Sequence, residues 1–236
     1  MIQIQNKIDK AFGDLEFEPG RHIYKVLGKV YPSTSSKIKK HTEPFNAVKW
    51  SKIIARKRGR TPQEIMTEWD NKRDKAAEKG TRVHDYAEKW WDNKLREPLC
   101  DQEKAAKTFL EFVDSNDDLE VVACELQMYS KAFGYAGTTD LVLRRKSTGK
   151  IIIVDYKTNE NLDKTYQYLL PPFHFLPNNP YNKYQLQLSY YQIMLEEAGL
   201  EVEQRWVIWL MNDGSFEIRK TEDYTKQLID YMNDDY

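Results

Sequence analysis

The run Ile151-Ile152-Ile153-Val154, followed at once by Asp155-Tyr156-Lys157, constrains this chain most. Four consecutive β-branched apolar residues read as a strand buried on both faces, so charges that follow it emerge at the end of a core element. Thr139 to Arg145 reads as a second strand, and Lys146-Ser147-Thr148-Gly149 between the two is a four-residue turn signal. Pairing Arg145 with Lys150 sets a hairpin register in which Asp140 falls directly across from Asp155. Alternation puts Ile151, Ile153, Asp155 and Lys157 on one face and Ile152, Val154 and Tyr156 on the other.

Two carboxylates opposed at about 5 Å repel by about 3 kcal/mol at an effective dielectric of about 20. A cation is therefore expected between them. A divalent metal held by hard oxygen ligands is the simplest candidate, and the Lys157 ammonium faces the same place.

The 236 residues are enough for one sizeable core with a helical subdomain. With 31% charged residues and no long apolar run, the chain is expected to be soluble and cytoplasmic, without a membrane role. Cys100 and Cys124 are too few for a four-cysteine zinc or iron–sulfur site. A net charge of −1 gives no global signal for nucleic acid, yet Lys37 to Arg60 holds nine Lys and Arg against one Glu, and Glu196 to Tyr236 holds eleven acids against four bases. The basic stretch reads as a localised polyanion-binding surface or as a solvated helix face, and charge alone leaves both open. Lys52, Arg56 and Arg58 are its candidate DNA contacts.

Along the chain, residues 1 to 20 are weakly periodic and read as a leader. His22 to Tyr31 looks like a short hairpin turning at Leu27-Gly28. The Ser33 and Ser35 hydroxyls suit either a helix cap or a phosphate contact. Pro44 to Lys57 and Thr61 to Trp69 are helical, with Trp50, Ile53, Ile54, Ile65 and Trp69 expected to be buried and Thr61-Pro62 as a helix start. Asp74 to Lys94 is a stronger helix, with Val83, Ala87 and Trp90 as a packed stripe and His84 on an adjacent one. Gly80 within it suggests a close approach by another backbone or a ligand. A helix over Ala105 to Val113 precedes a strand over Glu120 to Tyr129, in which Glu125 is expected on the face opposite Val122, Cys124, Leu126 and Met128. Thr158 to Lys183 is irregular, with four prolines and rings that could stack on bases or pack on the core. In the helix Tyr184 to Glu197, Gln187 lies one turn before Tyr191, so an amide and a phenol reach one point. A hairpin, Arg205 to Lys220, and a final helix, Glu222 to Met232, complete the chain.

The order of a helix with GTRVH, a strand with Glu125, a hairpin with GTTD and VDYK, and a helix with QLSYY resembles the PD-(D/E)XK nucleases. More narrowly it is similar to their RecB-like branch of phage and mitochondrial exonucleases. The resemblance covers about Gly80 to Trp209. It implies an α/β fold: a restriction-endonuclease-like core with a mixed sheet flanked by helices (74–236), joined in one compact unit to an N-terminal hairpin and basic helical cap (1–73). It further implies His84, Asp140 and Asp155 as metal ligands, Lys157 as the catalytic lysine, Glu125 as an acid near the metal, and Gln187 with Tyr191 as a further catalytic element. The expected cofactor is one or two Mg²⁺ or Mn²⁺ ions, with no iron–sulfur cluster. The expected activity is DNA exonuclease cleavage from strand ends in phage-type recombination, repair or processing, on DNA that is single-stranded or has free ends. Recombination or replication proteins are conceivable partners. A structure-specific endonuclease and a non-cutting DNA-binding protein are the alternatives.

Overall fold

A computed structural model describes residues 2–94 and 96–234, so Met1, Leu95, Tyr236 and the acidic Asp235 lie outside it. Five strands form one mixed sheet: β4 (Leu119–Ser130), β5 (Tyr135–Arg145), β6 (Ile151–Lys157), β7 (Val202–Leu210) and β8 (Phe216–Lys220), in that spatial order. Only β6 and β7 are parallel, and the helix α6 (Pro180–Glu197) makes the crossover between them. The hairpin β5–β6 pairs Leu141 with Val154 through Arg144 with Ile151, the register read from the sequence.

The β-branched run works as its pattern demands. Ile151 and Ile153 enter one core and Ile152, Val154 and Tyr156 the other, with all five side chains buried. The second core is completed by Val83, Tyr86, Ala87 and Trp90 of α4 (Pro62–Trp90) and by α5 (Asp101–Ser115). The first is completed by α6, α7 (Thr225–Asp234), and buried residues of the N-terminal elements.

Residues 1–20 are not a featureless leader. α1 (Ile2–Phe12) buries Ile8 and Phe12, the latter edge-on to Tyr129, and β1 (Leu15–Glu18) pairs with the expected hairpin β2 (Ile23–Val26) and β3 (Lys29–Tyr31). α2 (Thr34–Lys39) follows, and Ser33 caps it by accepting the Ser36 N–H at 3.2 Å.

The two helices expected over 61–69 and 74–94 are one. α4 starts at a capping box, with Thr61 and Glu64 reciprocally bonded and Pro62 in its first turn, then runs unbroken across residue 73. No proline or glycine lies between the two stretches, all four residues there are exposed, and Lys72 and Arg73 are good helix formers. α3 (Ala47–Arg58) packs back on its N-terminal half to form an arm, and Gly59 ends α3 in the left-handed conformation. Trp50, expected in the arm's apolar face, is 45% exposed, whereas Ile65 is fully buried. Gly80 has nothing within 4 Å of where a Cβ would be, so no close approach explains it. Among the described residues no helix is long and apolar enough to cross a membrane.

Gly137, which opens the GTTD segment, is where a close approach does occur. A Cβ there would lie 2.7 Å from Tyr191 Cε1 and 2.8 Å from Thr34 Oγ1, both on buried residues. Gly137→Ala should therefore lower stability by about 1–3 kcal/mol through overpacking. Gly20→Ala, with open space around it, should change stability by less than about 0.5 kcal/mol. Urea midpoints of the two variants test the difference.

Candidate active site

The acids of the site share one row across three strands. β4 pairs with β5 as Cys124 with Leu141 and Leu126 with Thr139, while the β5–β6 ladder ends at Leu141 with Val154. One step along both registers brings Glu125, Asp140 and Asp155 into line, but neither junction of that row is a regular ladder pair. Glu125 has φ 46°, a left-handed conformation that costs a non-glycine residue about 1–3 kcal/mol. The Tyr156 N–H donates to Asp140 Oδ2 at 2.5 Å, and Thr139 Oγ1 donates to the Val154 carbonyl at 3.1 Å. Side-chain groups thus satisfy backbone partners where the ladder opens.

The same backbone departure overturns the alternation expected of β4. A register shift between Val121 and Ala123, followed by left-handed Glu125, puts Val122, Ala123, Leu126 and Met128 against one core and Cys124 against the other.

From α4, His84 reaches over the row with Nδ1 3.2 Å from Asp140 Oδ1 and 3.8 Å from Glu125 Oε1. Lys157 forms an ion pair with Asp155 Oδ2, and its Nζ lies 4.5 Å from the centre of the Tyr184 ring. From α6, Gln187 Nε2 donates to the Tyr191 hydroxyl at 2.8 Å, as their one-turn spacing predicts. These side chains, except Tyr184, line one cavity of about 230 Å³ together with Ser33, Ser35 and Tyr24. Lys52 and Arg56 are exposed elsewhere on α3, and Arg58 is paired with Glu68 at 3.1 Å, so none of the three lines this cavity.

Tyr24, Thr138 and Tyr184 were not singled out as site residues in the sequence. The Tyr24 and Thr138 hydroxyls bond each other at 3.0 Å beside the row, and Tyr184 donates to Asn159 Oδ1 at 2.8 Å while backing the Lys157 ammonium. The i, i+3, i+7 spacing of Tyr184, Gln187 and Tyr191 was a signal for Tyr184. Tyr24 comes from a separate sheet and left none.

Burial and charge compete throughout the site. The Asp140 carboxylate and burial act oppositely on His84, and Asp140 wins, holding the imidazole pKa up at about 10. Burial alone would raise Asp140, but His84, Lys157 and the Tyr156 N–H together hold it below its ordinary value. Burial, reinforced by the charge of Asp140, pushes Asp155 up to about 6 against the pull of Lys157. Burial opposes the charge on Lys157, yet Asp155, Tyr184 and Asp140 outweigh it and raise the pKa. Burial also raises Glu125, with His84 resisting.

His84 Nδ1 and one oxygen each from Glu125 and Asp140 lie within 4.8 Å of one another. Asp155 Oδ2 is buried without a well-directed hydrogen bond, its contact with Lys157 being an ion pair. One imidazole nitrogen, two clustered carboxylates and a further carboxylate in the row form a hard N/O donor set that fits Mg²⁺ or Mn²⁺. The ligand set expected from the sequence was His84, Asp140 and Asp155. The tightest group has Glu125 in place of Asp155, because the left-handed backbone turns Glu125 toward His84 while Asp155 is held by Lys157.

The metal-free protein should lose stability as pH rises through the titrations of Asp155 and His84. The His84 pKa is raised, so its contribution is complete below about 6.5 and lost as pH rises through about 10. The Asp155 pKa is raised too, so its contribution is complete below about 3.8 and lost through about 6. Thermal melts of the metal-free protein against pH should follow this fall, and His84→Gln should flatten its upper part. Mn²⁺ must displace the imidazole proton, so calorimetry near pH 7 should register proton release that His84→Gln abolishes.

The sequence profile described as the PD-(D/E)XK nuclease superfamily matches residues 54–234. No curated protein matches the chain. The solved crystal structure of SSO0001 aligns with probability 1.00 and a TM-score of 0.33 at 16% identity, over 54% of this chain and 53% of that one. The chain thus spans about half the length of that structure. With the profile extending over most of the chain, from α3 to α7, and across the row of acids, this chain belongs to the PD-(D/E)XK nuclease superfamily.

Proposed function

We propose that the chain is a metal-dependent deoxyribonuclease of the RecB-like branch shared with phage and mitochondrial exonucleases, cutting DNA from free ends in recombination, repair or processing. Nucleases of this superfamily generally use divalent metal ions. The observation that carries the reading is the convergence of Glu125, Asp140, Asp155, Lys157 and His84 on one cavity. A structural ion-pair network needs no such opening to solvent.

His84, Glu125 and Asp140 would hold the ion, with Asp155 as the adjacent ligand once its carboxylate is released from Lys157. When bound, Mg²⁺ or Mn²⁺ supplies neutralisation of the scissile phosphate and a more acidic water. His84 enters this state by giving up its Nδ1 proton. Lys157 keeps its proton, backed by the Tyr184 ring once Asp155 is released, and its ammonium would donate to the water or to the developing charge on the phosphate. The Gln187–Tyr191 pair orders the polar wall opposite the acids. In the nuclease reading the arm of α3 and α4 is the cap that meets the DNA backbone.

End-labelled linear strands, single and double, compared with closed circles in Mg²⁺ and Mn²⁺ test this reading. Linear DNA should shorten from its ends while circles persist, and equal cutting of circles would make the enzyme an endonuclease. Asp140→Ala and Asp155→Ala should abolish cleavage and weaken Mn²⁺ binding. Lys157→Ala should lose cleavage by about two to four orders of magnitude while still binding metal and DNA.

A further inference from the structure

A groove of about 2420 Å³ runs between the α3–α4 arm on one side and the 158–183 loop on the other. It begins where the active-site cavity ends: Thr158 and Asn159 line the groove immediately after Lys157, and Lys183 lines it one helical turn before Gln187.

Its walls carry one repeated device. On the arm, Trp50 is 45% exposed, with the Lys49 ammonium 6.0 Å from its ring centre. On the facing loop, Tyr166 is 81% exposed, with the Lys164 ammonium 5.4 Å from its ring centre. Phe45, 66% exposed, adds a third ring at the arm, set edge-on against Trp69. Each wall therefore offers a flat apolar face beside an ammonium group.

The lining holds eight Lys and Arg against four Glu. Of those acids, Glu68 is taken by Arg58 and Arg60, Glu160 by Lys72, and Glu64 by the helix cap at Thr61. Among the described residues Lys75 and Lys183 have no carboxylate partner. Lys183 is also partly buried, and burial pushes its pKa down.

Resting on the nuclease reading above, we propose that this groove is the track of a single nucleic-acid strand. Its bases stack on Trp50, Phe45 and Tyr166, its phosphates lie on the flanking lysines, and Lys183 takes a phosphate at the threshold of the cavity. A duplex has its base faces already stacked inside and leaves exposed rings without use. An unpaired strand offers a ring and a phosphate per residue, matching the pairs of ring and ammonium on the two walls. Lys52 and Arg56, the contacts suggested by local charge density, do not line this track.

The test measures binding without metal, where nothing is cut, by anisotropy of labelled oligo-dT, an abasic oligomer of equal length, and a blunt duplex. Wild-type protein should prefer oligo-dT to both others. Trp50→Ala and Tyr166→Ala, at exposed positions whose folding is checked by thermal melts, should each weaken oligo-dT binding by about 5- to 100-fold and leave the abasic oligomer unaffected. Lys75→Gln with Lys183→Gln should weaken both single strands and flatten the log–log salt slope by about 1.4. Lys52→Gln with Arg56→Gln should change neither. Equal affinity for duplex and oligo-dT, or ring variants that bind oligo-dT like wild type, overturns the track even if the protein cuts DNA. Ring-dependent binding by a wild-type protein that cuts nothing leaves the track standing and removes the nuclease reading.

Discussion

Like charge gathered in one row across three strands is the constraint that the rest of this structure answers. Glu125, Asp140 and Asp155 occupy one row, and Asp140 and Asp155 are almost completely buried. Neighbouring carboxylates at such spacing repel by about 3 kcal/mol at an effective dielectric of about 20. The ladder opens at that row, Glu125 takes up a costly backbone conformation, and both nearby bases become unusually hard to deprotonate. An acid cluster folded this way binds protons when no other cation is present. The helices respect the same demand, since α4 brings His84 to the row and α6 backs Lys157 with Tyr184.

What could be read from the sequence was what depended on short-range pattern. The run Ile151 to Val154 required cover on both faces, and α5 with half of α4 supplies it on one, α6 and the N-terminal elements on the other. The hairpin register followed from turn length, and it held to within one residue of the acids. It stopped there because the acids themselves break the ladder, which no pairing rule anticipates. Glu125 lines one cavity with Asp140 and Asp155, but the single face expected for Val122, Cys124, Leu126 and Met128 is split, since strict alternation has no place for a left-handed residue within a strand. α1 escaped notice because its burial depends on distant Tyr129, 117 positions beyond Phe12.

Charge counting marked the arm but not which of its cations line the groove. Arg58 looked like a free cation in a basic run, yet Glu68, on the next helix, faces it across the α3–α4 turn. Lys164 of the long loop and Lys183 of α6 stand in stretches of ordinary composition and line the same groove as the arm's lysines, with the loop pinned by buried Leu162, Leu169 and Phe173. Sums over a window cannot see across a groove.

The continuity of α4 has a mechanical consequence. At about 1.5 Å per residue its 29 residues form a rod about 43 Å long, with the arm at one end and His84 near the other. Lys75 of the groove wall and His84 of the ligand cluster are nine positions apart on that rod. One continuous helix therefore fixes the spacing between the groove wall and the imidazole. Between them sits Gly80, with no neighbour to explain it, at a cost of about 1 kcal/mol to the helix. Since no packing at residue 80 offsets it, that cost falls on the helical turn that precedes His84.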